Sequence, residues 1–345
     1  MMPQLIIGKS LAPSLSVLTR ESEKNHYWKT LMADWNLRRR KGFPGCNPKS
    51  ICRESLGLLN KHNYMVTLKS DGVRYILYCT TRPNSTQSQP LPVALMIDRS
   101  QNMYEVDVIA QEDFFIKGTI LEGELVWKQP EEKTLMFLVF DCIRCRGESF
   151  LHRSFLERFQ EVDRLVRFSA ELSQLHDVEQ RALETNNVVM MQYQPRVFMH
   201  AKIFVDLSNA QRLWERRSDI EHRVDGLIIQ RTDAPYVMGT ANDGEVFKWK
   251  QNSTLDLSGP SLKAADGDIN STYFGRRVIT ATESKIKATS EDDVVEYMIN
   301  VTEKTVELFA LRRRLDKKTA NGIRVVEATI LDAIENIQPN ELLPC

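Results

Sequence analysis

The sequence predicts an α+β fold built on a predominantly antiparallel sheet and followed by a small β-barrel-like second domain. Three observations carry this reading. Short β-rich runs recur from Tyr64 to Lys250 between helical or loop segments. A turn-rich stretch from Gln251 to Ser271 then precedes further strand candidates. Finally, the chain closes on a segment with one apolar helical face.

In chain order, residues 20–63 alternate charged and apolar positions in a helical manner, broken by FPGCNP at Phe43 to Pro48, and lead into the first strand. YMVTL, RYILY, ALMID, ILEGELV, LMFLVFDCI, DGLIIQ and EVFKWK are the strands of the larger domain. HRSFLERFQEVDRLVRF is its longest helical segment. The proline, serine and glutamine of Arg82 to Pro92 mark a surface loop between two strands. RRVITAT, EYMINV and VELFALR supply the second domain. VVEATILDAIENI places Val326, Ile330, Ala333, Ile334 and Ile337 on one helical face, which is expected to pack on a larger body.

Composition limits the partners. The chain has 345 residues, and its 46 basic and 46 acidic side chains cancel. No global positive field holds nucleic acid, so phosphate chemistry must rest on local clusters. The six cysteines lack the spacing of a disulfide scaffold and point to a reducing compartment. The N-terminal apolar stretch is too short for a signal peptide, and no run reaches bilayer length. The expectation is an intracellular protein with no membrane partner.

The chemistry centres on TLKSDGVRY, where a polar turn between two strands brings Lys69, Asp71, Gly72 and Arg74 together. A lysine amine becomes nucleophilic when nearby cations or desolvation free its lone pair. In EVFKWK, the strand period of two puts Lys248 and Lys250 on one face and Phe247 and Trp249 on the other. Two ammonium groups facing one pocket would bind phosphate and activate Lys69; a solvated edge strand is the plainer meaning of the same pattern. ILEGELV likewise places Glu122 and Glu124 on one face, where acid on an apolar strand needs a partner, a ligand or solvent.

The order KSDGVR, MIDR, ILEGELV, FLVFD, DGLIIQ, FKWK and RRRLDKK resembles the covalent nucleotidyltransferase superfamily, whose defining motif is Lys-x-Asp-Gly. Within it the chain is most similar to mRNA capping guanylyltransferases, especially the small stand-alone enzymes of large DNA viruses. DGLI at Asp225 to Ile228, the terminal RLDKK, FPGCNPKSI and ENIQPNELL carry that finer likeness. The resemblance implies a nucleotidyltransferase domain (1–253), an OB-fold domain (254–322) and a C-terminal helix (323–345) that returns to the first domain.

The resemblance also implies roles. Lys69 matches the lysine that takes GMP as a phosphoramidate. Arg74, Arg99 and Glu124 match positions that contact the ribose or orient the nucleotide. Phe140 matches the aromatic residue that stacks on guanine, and Lys202 matches the lysine that reads its O6. Lys248 and Lys250 match the pair on the α-phosphate, and Asp225 an acidic position near the phosphate and its metal. Arg314, Asp316 and Lys317 match the motif that engages the β- and γ-phosphates when the domains close.

The expected reaction takes GTP and a divalent metal, Mg²⁺ or Mn²⁺, and passes GMP to the 5′-diphosphate end of RNA. RNA triphosphatase and cap methyltransferase steps would lie on separate proteins, in a nucleus or a cytoplasmic viral compartment. An ATP-dependent polynucleotide ligase and a non-catalytic RNA-binding relative of the fold are the alternatives. Other signals are set aside. IIGKS at Ile6 to Ser10 lacks the first glycine of a P-loop, and Cys142 and Cys145 lack the companions of a zinc site. The run Arg38 to Lys41 reads as a solvated helix face.

Overall fold

The computed structural model describes residues 16–37, 42–83, 91–106, 108, 110–129, 135–167, 198–241, 244–259, 261–269, 277–281, 286, 288, 290–315, 317 and 319–342. IIGKS, the run Arg38 to Lys41, most of the loop Arg82 to Pro92, and Asp316 lie outside them.

Two sheets face each other in the larger body. The first contains, in order across it, Met103–Val106, Pro92–Ile97, Val73–Thr81, Thr119–Trp127 and Leu135–Cys145, with all these neighbours antiparallel. Its two faces are both apolar, because alternate residues of each strand serve separate cores. Tyr75, Leu77, Phe137 and Val139 pack with Val162 and Leu165 of a helix at 155–167. Ile76, Tyr78, Leu95 and Ile120 pack on the opposite side with Tyr27 and Leu31 of the helix Glu21–Asp34, and with Val246 of the second sheet. Cys142 and Cys145 are buried, free thiols of the first of these cores.

The second sheet has Val224–Arg231 at its centre, antiparallel to Tyr64–Ser70 on one side and to Val246–Lys250 on the other. Val66, Leu68, Leu227, Ile229, Phe247 and Trp249 point away from the first sheet into a third core with Trp214. The alternate residues of the same strands therefore face the first sheet, and these include the lysines of interest.

The third sheet, formed by Thr254–Ser258, Val294–Val301, Thr305–Arg313 and Val278–Ala281 with two short strands, builds the C-terminal core. Here the structure corrects one expectation. The stretch Gln251 to Ser271 is not turn throughout: Thr254–Ser258 is a strand whose Leu255 and Leu257 are buried in that core. Asn, Ser, Gly and Pro on both sides hide a period-two signal that is only a few residues long.

The helix Ile323–Glu335 is shared between the bodies. Val326 and Ile330 are buried in the C-terminal core, while Ile337 and Leu342, beyond the helix end, are buried with the second sheet. Trp249 Nε1 donates to the Ile337 carbonyl at 2.6 Å, and Arg53 holds Glu341 at 2.9 Å. Among the described residues, no helix is long and apolar enough to cross a membrane.

Candidate active site

A cleft of about 920 Å³ opens between the two large sheets and is bordered by the C-terminal sheet and its helix. Lys69, Lys248 and Lys250 enter from the second sheet, while Arg74, Glu122, Glu124 and Phe140 enter from the first. Lys202 lines it from the segment after the short strand Phe198–Ala201.

The lysine strand is organised by an irregularity. Val224 pairs with Ser70 and Gly226 with Lys69, so Asp225 is the extra residue of a β-bulge directly beside the lysine. The bulge brings the Asp225 carboxylate between two ammonium groups: Lys69 Nζ donates to Oδ1 at 2.6 Å, and Lys250 Nζ lies 2.8 Å from Oδ2. Burial acts to raise the Asp225 pKa, but the attraction of Lys69 and Lys250 outweighs it and holds the carboxyl below its usual range. Gly226 permits the close approach of these strands. A Cβ there would collide with the Trp249 carbonyl oxygen and stand 3.0 Å from Lys250 Cα.

Lys248 shares the cleft. Burial and Lys250 lower its pKa, and Asp332 of the C-terminal helix pulls the other way. Asp332 is itself pushed up to about 6 by burial, despite a hydrogen bond from Ser50 and the charge of Lys248.

On the opposite wall, Arg74 is held in a fork by Glu122, with Nη2 at 2.7 and 2.8 Å from the two carboxylate oxygens, and its Nη1 donates to the Cys46 carbonyl. Glu122 is fully buried and also accepts from the Tyr236 hydroxyl at 2.6 Å, which shows why an acid can stand on this apolar strand. Burial raises the Glu122 pKa, and Arg74 opposes it. Arg74 Nε is buried with no hydrogen-bond partner among the described residues. The Phe140 ring lies 5.3 Å from the Arg74 guanidinium and 5.9 Å from Lys202 Nζ, so it is a flat apolar surface flanked by cations. Lys202 is buried, with its pKa lowered by burial, and it stands 3.5 Å from Glu124. Arg99 is exposed at the edge of the cleft.

From the C-terminal sheet, Arg314 and Lys317 reach the same cleft, both paired with the buried Asp256, Arg314 at 3.1 Å. Of the three consecutive arginines, Arg314 is the one that lines the cleft. Arg312 pairs with Glu296 at 2.7 Å, and Arg313 lies 3.7 Å from Asp293. The structure thus gathers Lys69, Arg74, Arg99, Glu124, Phe140, Lys202, Lys248, Lys250, Arg314 and Lys317 around one space, with Asp225 beside Lys69.

Three charged or polar groups at or beside the cleft escaped the sequence reading, and Glu122 was legible only as an acid in need of a partner. Asp256 sits in the strand hidden by turn residues. Asp332 follows the apolar Ile330 and Leu331, and His222 stands three residues before Asp225 in a run with no metal or triad spacing.

Residues 14–252, which contain every cleft residue of the two large sheets, match the family model described as mRNA capping enzyme, catalytic domain. The mRNA-capping enzyme subunit alpha of Schizosaccharomyces pombe is 26% identical over 332 residues, covering 87% of this chain and 79% of the relative. Its counterpart in Yarrowia lipolytica is 27% identical over 324 residues, covering 85% and 79%. The mRNA-capping enzyme of Caenorhabditis elegans is 23% identical over 331 residues, 88% of this chain and 49% of that longer protein. The family model spans well over half of the chain and encloses the paired lysines, so the chain belongs to the mRNA capping enzyme family.

Proposed function

We propose that the cleft transfers GMP from GTP to the 5′-diphosphate end of RNA through a phosphoramidate on Lys69. The observation that carries this reading is the row Lys69, Asp225 and Lys250, in which one carboxylate aims the amine and a second lysine stands beside it. Nucleophilic lysine chemistry needs an oriented amine and cations at the phosphate it attacks, and the Lys69–Asp225–Lys250 row across paired strands supports that reading.

The Lys69 nitrogen, once free of its third proton, attacks the α-phosphorus. A P–N bond forms, the bond to the β-phosphate oxygen breaks, and pyrophosphate leaves with the electron pair. Negative charge growing on the phosphates is met by Lys248 and Lys250, and by Arg314 and Lys317 from the C-terminal sheet. In the second step a terminal oxygen of the RNA diphosphate attacks the same phosphorus and the Lys69–phosphorus bond breaks, which regenerates the amine. Phe140 offers the base a flat face, Lys202 a cation for a carbonyl oxygen, and Arg74 Nε an unused donor. The site thus suits a purine with an acceptor at its edge.

The donor set fits a divalent ion delivered with the nucleotide. No group of three or more His, Cys, Asp or Glu is placed to cage a metal among the described residues, and Asp225 is the carboxylate at the nucleophile. Mg²⁺ is commonly held this way, by one or two carboxylates and the substrate phosphates, and it offsets leaving-group charge when bound. In this reading residues 254–322 act as an OB-type module that closes over the triphosphate, and residues 323–345 join it to the body of 1–253. The 5′-diphosphate would come from a separate triphosphatase, and the product would pass to a separate methyltransferase.

Incubation with α-labelled GTP or ATP, followed by a chase with diphosphate-ended or monophosphate-ended RNA, tests the proposal. Labelling from GTP and release to diphosphate ends is expected. Labelling from ATP and not GTP would instead support the ligase chemistry.

A further inference from the structure

Two polar groups flank the Asp225 bulge, Ser70 at the end of the strand Tyr64–Ser70 and His222 just before the strand Val224–Arg231. Ser70 follows the nucleophilic lysine directly and is 0% exposed. Its hydroxyl lies 2.9 Å from His222 Nε2. One residue further on, the Asp71 N–H donates to the Arg223 carbonyl at 2.8 Å. The two strands are therefore tied by a side-chain pair and a backbone bond on the far side of the bulge, with the Gly226 pairings on the near side.

A bulge holds an extra residue that the ladder alone does not fix. Were it to relax by one residue, every side chain beyond it would change face. Asp225 would then turn from Lys69 toward the face that carries Leu227 and Ile229. Something must hold the extra residue in place, and the Ser70–His222 contact sits at the pairing where the register shifts. Resting on the guanylyl-transfer reading above, we propose that Ser70 and His222 are positioning residues. They lock the bulge that holds Asp225 against Lys69, and so set the reactivity of the lysine rather than the affinity for nucleotide. The imidazole suits this task because it stays neutral: burial and the nearby Lys202 bring its pKa down to about 4. A charged ring here would add another cation within reach of Lys202.

The test uses the full chain, single-turnover formation of the lysyl-GMP adduct as a function of GTP concentration, and the variants Ser70→Ala, His222→Ala, Ser70→Thr and His222→Gln. His222→Ala and Ser70→Ala are each expected to lower the maximal rate ~10- to 100-fold, with half-saturating GTP within about twofold of the parent, as for a displaced reacting group. The two alanine changes act on one contact, so the double variant should be no slower than the worse single one. Ser70→Thr keeps the hydroxyl and His222→Gln offers an amide at similar reach; each should recover most of the rate. An unchanged maximal rate in His222→Ala overturns the proposal. So does a loss carried by half-saturation alone, a multiplicative double variant, or the absence of recovery in both conservative variants. Failure of the parent chain to label at all would defeat the guanylyl-transfer reading itself, whereas a labelled parent with an unaffected His222→Ala defeats only this inference.

Discussion

Replacing Gly226 with alanine should damage the reaction more than one methyl group suggests. Gly226 pairs with Lys69 on one side and with Lys250 on the other, at the centre of three strands. The new Cβ would fall inside the contact shell of the Trp249 carbonyl oxygen and 3.0 Å from Lys250 Cα, both main-chain atoms that no rotamer change can move. The Lys250 strand must retreat on the order of 1 Å, at a cost of roughly 1–3 kcal/mol of folding stability, as for other overpacked sites. That strand carries Lys248 and Lys250, which line the cleft and are proposed to meet the phosphates, and Trp249, whose indole holds the C-terminal tail. A retreat of about 1 Å at a reacting centre is worth ~100-fold in rate. Single-turnover adduct formation and thermal unfolding of Gly226→Ala measure the two effects. A variant that keeps the parental rate while losing stability would refute the claim that this strand spacing sets the site.

Two acids, the half-buried Asp332 and the buried Asp141, bear on stability. Asp332, raised from 3.8 to about 6, binds its proton more tightly in the folded protein, so its contribution to stability falls as pH rises from near 3.8 through about 6. Asp332→Asn should therefore stabilise the protein by roughly 2–3 kcal/mol above that window and have little effect below it. Denaturant titrations at acid and neutral pH check this, and a gain that is equal at both would contradict it. Asp141 pairs with the buried Arg158 at 2.7 and 3.1 Å. Asp141→Leu leaves that guanidinium without its counter-ion and should cost about 3–5 kcal/mol in unfolding experiments. A loss under about 1 kcal/mol would show that solvent or another acid takes over.

The parts of the site that were legible in the sequence are those that obey simple periods. Lys248 and Lys250 share a strand face as alternation requires, with Phe247 and Trp249 buried behind them. Lys69 and Arg74 flank a turn, and Glu122 and Glu124 alternate into the cleft. Asp225 shows where the rule ends. Strict alternation along DGLIIQ groups it with Leu227 and Ile229, both fully buried on the face away from the cleft, and only the bulge places it beside Lys69. Lys202 and Ile203 invert the ordinary expectation: the lysine is 7% exposed and the isoleucine 65%. Hydropathy alone would have turned this segment the other way, and the family resemblance was what singled out Lys202. The contacts of Arg314 with Asp256 depend on pairing across a sheet whose first strand is masked by turn residues, so no local pattern reveals them.

In the proposed guanylyl transfer, Lys69 itself carries the nucleotide. The most direct test of that role is peptide mapping by mass spectrometry after incubation of the parent chain with GTP, alongside Lys69→Ala. One GMP adduct is expected, on the Lys69 peptide, acid-labile as a phosphoramidate should be, and no adduct in a folded Lys69→Ala chain. An adduct on another residue, or one that persists in Lys69→Ala, would contradict it.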